Sequence, residues 1–225
     1  DFKAINIQEL QLNHQFDVNP STGGVTASVQ IPLTEGRNGF GPDLSLNYSS
    51  SSRNSAFGIG WSLAGLPYIS LDTKKGLPRY DGTDKYTLNG GISLIPQLIK
   101  QGHNWIERAE EKPGHWVYYY RTKIEESFTR FEKWIDKNNR TIHWRAISGD
   151  NMVSVFGTPN ASLFNPEQPE KVFIWLIKSQ YDNLGNAIFY NYKTENEDNV
   201  DASKSYENAR VKKGIQFGFA QRYPA

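Results

Sequence analysis

A mainly β fold, built of antiparallel meanders and hairpins with minor helix, follows from three features of the sequence. Hydrophobic alternation runs mostly at period two, apolar segments are short and bounded by Gly, Pro, Asn or Asp, and helical stretches lack convincing caps. Near the start, Ile5 to Leu12 is one of two weak helix candidates. Val25 to Ile31 alternates strictly, and Leu44 to Tyr48 does so again after the turn Gly41-Pro42-Asp43, so both read as half-buried strands. Ile92 to Lys100 is the second weak helix candidate.

A meander follows. Trp116 to Arg121, Phe128 to Ile135, Thr141 to Ile147 and Met152 to Phe156 form a strand series. Its loops at 136–140 and 148–151 are rich in Asn, Asp and Gly, which tolerate the positive φ of tight turns. Pro159, Pro166 and Pro169 mark an irregular connection, because each removes a backbone donor and restricts its predecessor. Lys171 to Ser179 is dense in β-branched and aromatic residues and reads as a strand rather than a helix. The turn at 181–186 returns the chain along Ala187 to Tyr192 as a hairpin. The polar tract 193–208 reads as an exposed loop before a last strand at Val211 to Ala220. With 225 residues, one β-rich domain over 1–225 is the expectation.

Composition removes several function classes. The 25 basic and 24 acidic residues leave a net charge of +1, without the cationic excess that phosphate-backbone or membrane-surface binding by charge requires. With no cysteine, disulfide scaffolding, thiolate catalysis and Cys-based zinc sites are excluded. The longest apolar run, Val172 to Ile177, is far short of the roughly 20 residues of a membrane-spanning helix. No secretory leader is visible at the start, and without an initiator Met the sequence reads as a processed product or a fragment.

Candidate chemical sites are few. Gly60-Trp61-Ser62-Leu63-Ala64 has the spacing of a variant nucleophile elbow, but Gly65-Leu66-Pro67 follows where a helix should begin. Phe57, Trp61 and Leu63 then read as buried, with Gly58, Gly60 and Gly65 allowing close backbone approach. Glu195-Asn196-Glu197 has the paired-Glu spacing of arginine-modifying ADP-ribosyltransferases, yet lies in a polar tract without an upstream Ser-Thr-Ser strand. Glu110-Glu111 and Glu125-Glu126 are similarly read as solvated. His14, His103, His115 and His143 are dispersed without metal-ligand spacing, and no cofactor is expected. The Asp- and Asn-bearing turns at 81–84 and 182–186 offer oxygen ligands but lack the calcium-loop pattern and read as Asx-turns. Trp105, Trp116 and Tyr118 to Tyr120 could stack on a glycan or contact a protein, although aromatics in β proteins are more often core.

Gly39 to Leu94 carries a far more specific pattern. Gly41-Pro42-Asp43-Leu44-Ser45-Leu46-Asn47-Tyr48-Ser49-Ser50, then Phe57-Gly58-Ile59-Gly60-Trp61-Ser62-Leu63, then Lys75-Gly76-Leu77-Pro78-Arg79-Tyr80-Asp81-Gly82-Thr83-Asp84, resemble the SpvB-type N-terminal domain. Arg121 within 120–125, Trp134 within 128–134, Phe156-Gly157, Asn165-Pro166 and Trp175-Leu176 extend the resemblance over nearly the whole chain. The motif residues set apart on this ground are Phe57, Gly58, Gly60, Trp61, Leu63, Gly76, Pro78, Tyr80, Asp81, Asp84, Arg121 and Trp134, all structural. Ala64-Gly65 lengthens the passage to the Pro, and Gly82 stands where an acidic residue is common.

The resemblance implies a non-enzymatic β-rich part of a larger shell. In Tc toxins such domains wall a cocoon with downstream Rhs/YD-repeat segments, around a toxic C-terminal segment. Tyr181 to Asn186 is itself similar to a YD-repeat turn. The implied partners are the Rhs/YD-repeat and β-propeller segments of the same toxin, its C component and the pore-forming A component. The implied location is secreted or extracellular, after synthesis in a bacterial cytoplasm. In the Salmonella virulence protein of this type, actin ADP-ribosylation belongs to a separate C-terminal domain, and its catalytic set does not map here. The alternative expectation is a glycan- or protein-binding module.

Overall fold

The structure, a computed structural model, describes residues 15–18, 20–21, 23–124, 127–165, 168–194, 201, 203–206 and 222–225. It is almost entirely antiparallel β, in two compact units, Asp1–Leu66 and Pro67–Ala225. The helix candidate at 5–12 and the last strand expected at 211–220 lie outside the described residues.

The first unit contains β1 (Gln15–Val18), β2 (Val25–Gln30), β3 (Ser45–Ser49), β4 (Asn54–Ser55), β5 (Gly58–Ile59) and β6 (Trp61–Ala64). β1, β2, β3 and β6 form a four-stranded sheet in that order, and β4 pairs with β5 as a separate small hairpin. The alternation read at Val25 and Leu44 thus marks neighbouring strands, joined in register by pairs such as Val29↔Leu46.

The second unit contains β7 (Tyr68–Leu71), β8 (Tyr86–Leu88), β9 (Ile92–Pro96), β10 (Leu98–Gln101), β11 (Asn104–Glu107), β12 (Ala109–Lys112), β13 (His115–Thr122), β14 (Arg130–Asp136), β15 (Ile142–Ile147) and β16 (Val153–Phe156). It continues through β17 (Ser162–Asn165), β18 (Gln168–Tyr181), β19 (Ala187–Phe189), β20 (Tyr192–Thr194) and β21 (Arg222–Pro224). The meander expected from 116 to 156 is present as β13 to β16, and β18 returns through the 182–186 turn into β19.

Ile92 to Lys100 is strand rather than helix. β9 pairs with β8 and β13, and β10 folds back on β11. Tertiary pairing decides this segment, whose local pattern is ambiguous. Pro169 lies near the start of β18 rather than in a connecting loop, a position where a strand tolerates a missing donor.

Eight of these strands close into a barrel in the order β13, β14, β15, β16, β18, β7, β8, β9, with β9 returning to β13. Tyr120↔Pro96, Arg121↔Ile95 and Thr122↔Leu94 make the closing seam. Closure pairs both edges of every barrel strand over part of its length, and at eight strands the interior is just wide enough for side chains to fill.

That filling is aromatic. Tyr86, Tyr120, Trp144 and Trp175 come from β8, β13, β15 and β18, and their rings lie 4.8 to 6.1 Å apart in edge or tilted contacts. Trp144 is fully buried, and the Trp175 indole N–H donates to the Ile142 carbonyl at 3.0 Å. Lys133 projects into the same interior: its ammonium lies 5.0 Å from the Tyr86 and Tyr118 ring centres and 5.4 Å from that of Tyr120. It donates to the Tyr120 hydroxyl at 3.3 Å.

Residues of opposite parity face outward on β13 to β15. Glu132 is nevertheless buried, held by Arg130 at 3.0 Å and by the Trp134 indole N–H at 3.0 Å, with Arg145 at 4.0 Å. Buried carboxylates need such partners, because an unpaired charge costs several kcal/mol.

Candidate assembly surface

The motif residues first build two tight frames. Gly60 has φ +83°, and a Cβ there would sit 2.5 Å from the Tyr48 ring, so only glycine lets β6 pass that ring. Trp61 then pairs with Tyr48 across the strands, ring centres 5.3 Å apart, and Leu63 pairs with Leu46. Phe57, expected in the core, is 45% exposed at the tip of the β4–β5 hairpin, where the two-residue turn before Gly58 (φ +104°) turns it out. Trp61 and Leu63 are half-buried.

The second frame is the loop between β7 and β8. Asp84 accepts from the Arg79 N–H at 2.9 Å and the Tyr80 N–H at 2.6 Å, which holds Tyr80 at φ +58°. Asp81 accepts the Thr83 N–H at 3.0 Å as an Asx-turn, and Asp182 does the same for Leu184 at 2.9 Å. Gly76 adopts φ +128°, and Pro78 is half-buried beside it. Arg121 lies on the barrel seam, its side chain exposed and its guanidinium near the Thr122 carbonyl. Trp134 stands on the outer face with Lys112 5.0 Å from its ring and His143 stacked at 5.6 Å.

Burial behind Trp134 lowers the His143 pKa to about 4, with His115 and Arg145 adding repulsion. Tyr119 also faces outward. It donates to Glu110 at 2.6 Å under the Arg108 guanidinium, and burial together with that acceptor raises its phenol to about 12.

Of the enzyme candidates Ser62, Glu195 and Glu197, only Ser62 falls among the described residues. Ser62 sits within strand β6 rather than on a strand-to-helix turn, with its hydroxyl directed to the Asn47 carbonyl at 3.4 Å. Glu195 and Glu197 lie outside the described residues, as do Glu125 and Glu126. Of the aromatic candidates for ligand stacking, Tyr120 fills the barrel interior and Tyr119 is buried on the outer face under Arg108, whereas Trp105 and Trp116 keep exposed faces.

What the fold displays is an apolar ribbon. β10 and β11 extend from the barrel as a hairpin turned at Gly102 (φ +61°), and all eight of its strand residues are exposed. The register Ile99↔Ile106 and Lys100↔Trp105 puts Leu98 and Trp105 on one face and Ile99 and Ile106 on the other. Trp105 is 66% exposed and Leu98 52%. A two-stranded ribbon with bare apolar residues on both faces has no core of its own, and such patches mark interaction sites. The sequence did carry a signal for it: Gly102-His103 separates two short apolar runs, as a two-residue hairpin turn does. In the first unit, β1 and β6 each pair on one side only among the described residues, leaving ladder edges open.

Relatives share this sequence and fold. The sequence model of the family described as SpvB, Salmonella virulence plasmid 65kDa B protein, matches residues 19–225, across both compact units. The mono(ADP-ribosyl)transferase SpvB of Salmonella choleraesuis (strain SC-B67) is 30% identical over 208 residues, 86% of this chain and 35% of that protein. The chain thus spans about a third of the length of the curated relatives it matches. Among solved structures, the N-terminal domain of effector protein SpvB from Salmonella typhimurium strain LT2 matches with TM-score 0.73 and 28% identity, over 88% of this chain and 62% of that one. TcdB2-TccC3 matches with TM-score 0.76 and 28% identity, over 95% of this chain but 10% of that one. The Photorhabdus luminescens Tc holotoxin pore matches with TM-score 0.73 and 28% identity, over 94% and 10%. By sequence and by fold alike, this chain belongs to the SpvB family as a domain of the SpvB N-terminal type.

Proposed function

We propose that this chain is a non-enzymatic wall segment of a secreted Tc/SpvB-type toxin, one part of a larger β shell that encloses a toxic C-terminal segment. The observation that carries the reading is the exposed ribbon of Leu98, Ile99, Trp105 and Ile106 on a barrel whose own strands have closed on one another. Matches that cover this chain almost wholly but only a tenth of the TcdB2-TccC3 chain support it. In this reading the ribbon and the open edges of β1 and β6 receive later segments of the same polypeptide, and the C and pore-forming A components join that assembly. This reading places the transferase activity in the name of the Salmonella relatives outside the matched region, which covers 35% of those proteins. Ser62→Ala and Glu197→Gln are therefore expected to leave toxicity of the intact product unchanged.

The size of the native gene product tests the proposal. An antibody raised to this chain should detect a protein several times larger than 25.6 kDa. A native product of that size alone would overturn the wall reading in favour of a free-standing binding module.

A further inference from the structure

Among the described residues, one end of the barrel is not filled. A cavity of about 420 Å³ opens there, floored by Phe131, Ala146 and Phe156 and walled by Leu88, Ile92 and Met152. It falls within the size range of small-molecule sites, roughly 300–1,000 Å³, and barrel mouths are a common place for them. A second cavity of about 510 Å³ adjoins it, with Ser93 and Lys123 lining both. Five cations line this second space, Lys74, Lys75, Arg79, Lys85 and Lys123, against two carboxylates, Asp72 and Asp84.

Both carboxylates are already engaged by backbone. Asp72 accepts the Lys74 N–H at 2.9 Å, and Asp84 accepts the Arg79 and Tyr80 N–H groups. None of the five cations forms an ion pair among the described residues. The local balance is therefore positive in a chain that is nearly neutral overall.

An apolar chamber that shares its Ser93 and Lys123 rim with a cationic one matches one ligand chemistry. We infer that the barrel mouth binds an anionic amphiphile, a long-chain carboxylate whose alkyl body enters between Phe131 and Met152 and whose head lies at Lys123. A bare oxyanion would leave the apolar chamber empty. An uncharged alkane would leave the cations unmatched, so both halves of the ligand are specified.

Titration of the intact protein with dodecanoate, dodecanol and inorganic phosphate tests this. Met152 is the sole methionine, so its labelled methyl resonance reports occupancy of the mouth directly. Dodecanoate should bind saturably at one per chain and shift that resonance, and phosphate should not shift it. Lys123→Gln should weaken dodecanoate about fivefold, the scale of a partly exposed ion pair, without weakening dodecanol. Shortening the ligand to decanoate should weaken binding about tenfold, from the loss of two buried methylenes. Ile92→Trp, at a half-exposed rim position, should block both twelve-carbon ligands while leaving the melting temperature near that of the parent. Absence of saturable dodecanoate binding, an unmoved Met152 methyl at saturation, or equal affinity in Lys123→Gln would each overturn the assignment.

Discussion

Gly157 offers the sharpest test of barrel packing. It follows Phe156 at the end of β16, which pairs with β18, has φ +70°, and donates its N–H to the Leu176 carbonyl at 2.9 Å. A Cβ there would lie 2.1 Å from Cδ1 of Trp175 and 2.8 Å from Cγ. Trp175 is 2% exposed and fixed by its bond to Ile142, so it cannot swing aside. Gly157→Ala therefore combines a left-handed backbone cost of about 1–2 kcal/mol with an overpacking cost of about 1–3 kcal/mol. The sum, about 2–5 kcal/mol, corresponds to a fall in Tm of about 5–15 °C for a unit of this size. Gly149→Ala is the control, since its Cβ would meet nothing within 4 Å and its φ is not positive; it should change stability by no more than about 0.5 kcal/mol. Thermal and urea unfolding of both variants decide the matter. A Gly157→Ala protein as stable as the Gly149→Ala control would refute the packing described around Trp175.

Two further predictions concern buried charge. Burial lowers the Lys133 pKa, with Glu107 offsetting part of the effect. The folded state then binds that proton less well than the unfolded chain, so the cost is full below the folded pKa and is relieved as pH rises toward the unfolded value. Lys133→Met should match or exceed the parent in stability at neutral pH and should lose the gain the parent shows on raising the pH toward the ordinary lysine value of about 10.5; a large destabilisation would instead mean that the three tyrosine rings more than repay the buried charge. His143, with a folded pKa of about 4 against an ordinary 6.5, takes up a proton more readily when unfolded. Stability should fall as the pH drops from about 6.5 to about 4, and His143→Gln should flatten that part of the profile in urea melts at stepped pH.

The local elements were legible in the sequence where the period was clean and the turns had distinctive chemistry. β13 to β16 follow from alternation between loops whose positive-φ residues, Arg140 and Asn151, sit where Asn- and Gly-rich turns were expected. Barrel closure was not legible, because the seam joins Leu94–Pro96 to Tyr120–Thr122 and no local period encodes a pairing across that separation. The same gap explains Ile92 to Lys100, whose strand character is imposed by β8, β11 and β13. Of the motif residues, Gly60, Gly76, Asp81 and Asp84 have backbone reasons for their identity. Phe57 was misplaced because a hydrophobic residue in a hairpin turn carries no mark of which way the turn faces. The apolar ribbon followed from neither composition nor periodicity, since both describe a strand and not whether anything covers it.

In the proposed wall segment, the β10–β11 ribbon is covered by the rest of a larger polypeptide. Oxidative footprinting of Trp105, read by mass spectrometry in the isolated 225-residue chain and in the native gene product, tests it most directly. Trp105 should be readily oxidised in the isolated chain, as its 66% exposure requires, and strongly protected in the native product. Equal oxidation of Trp105 in both would contradict the assignment of this face as the wall contact.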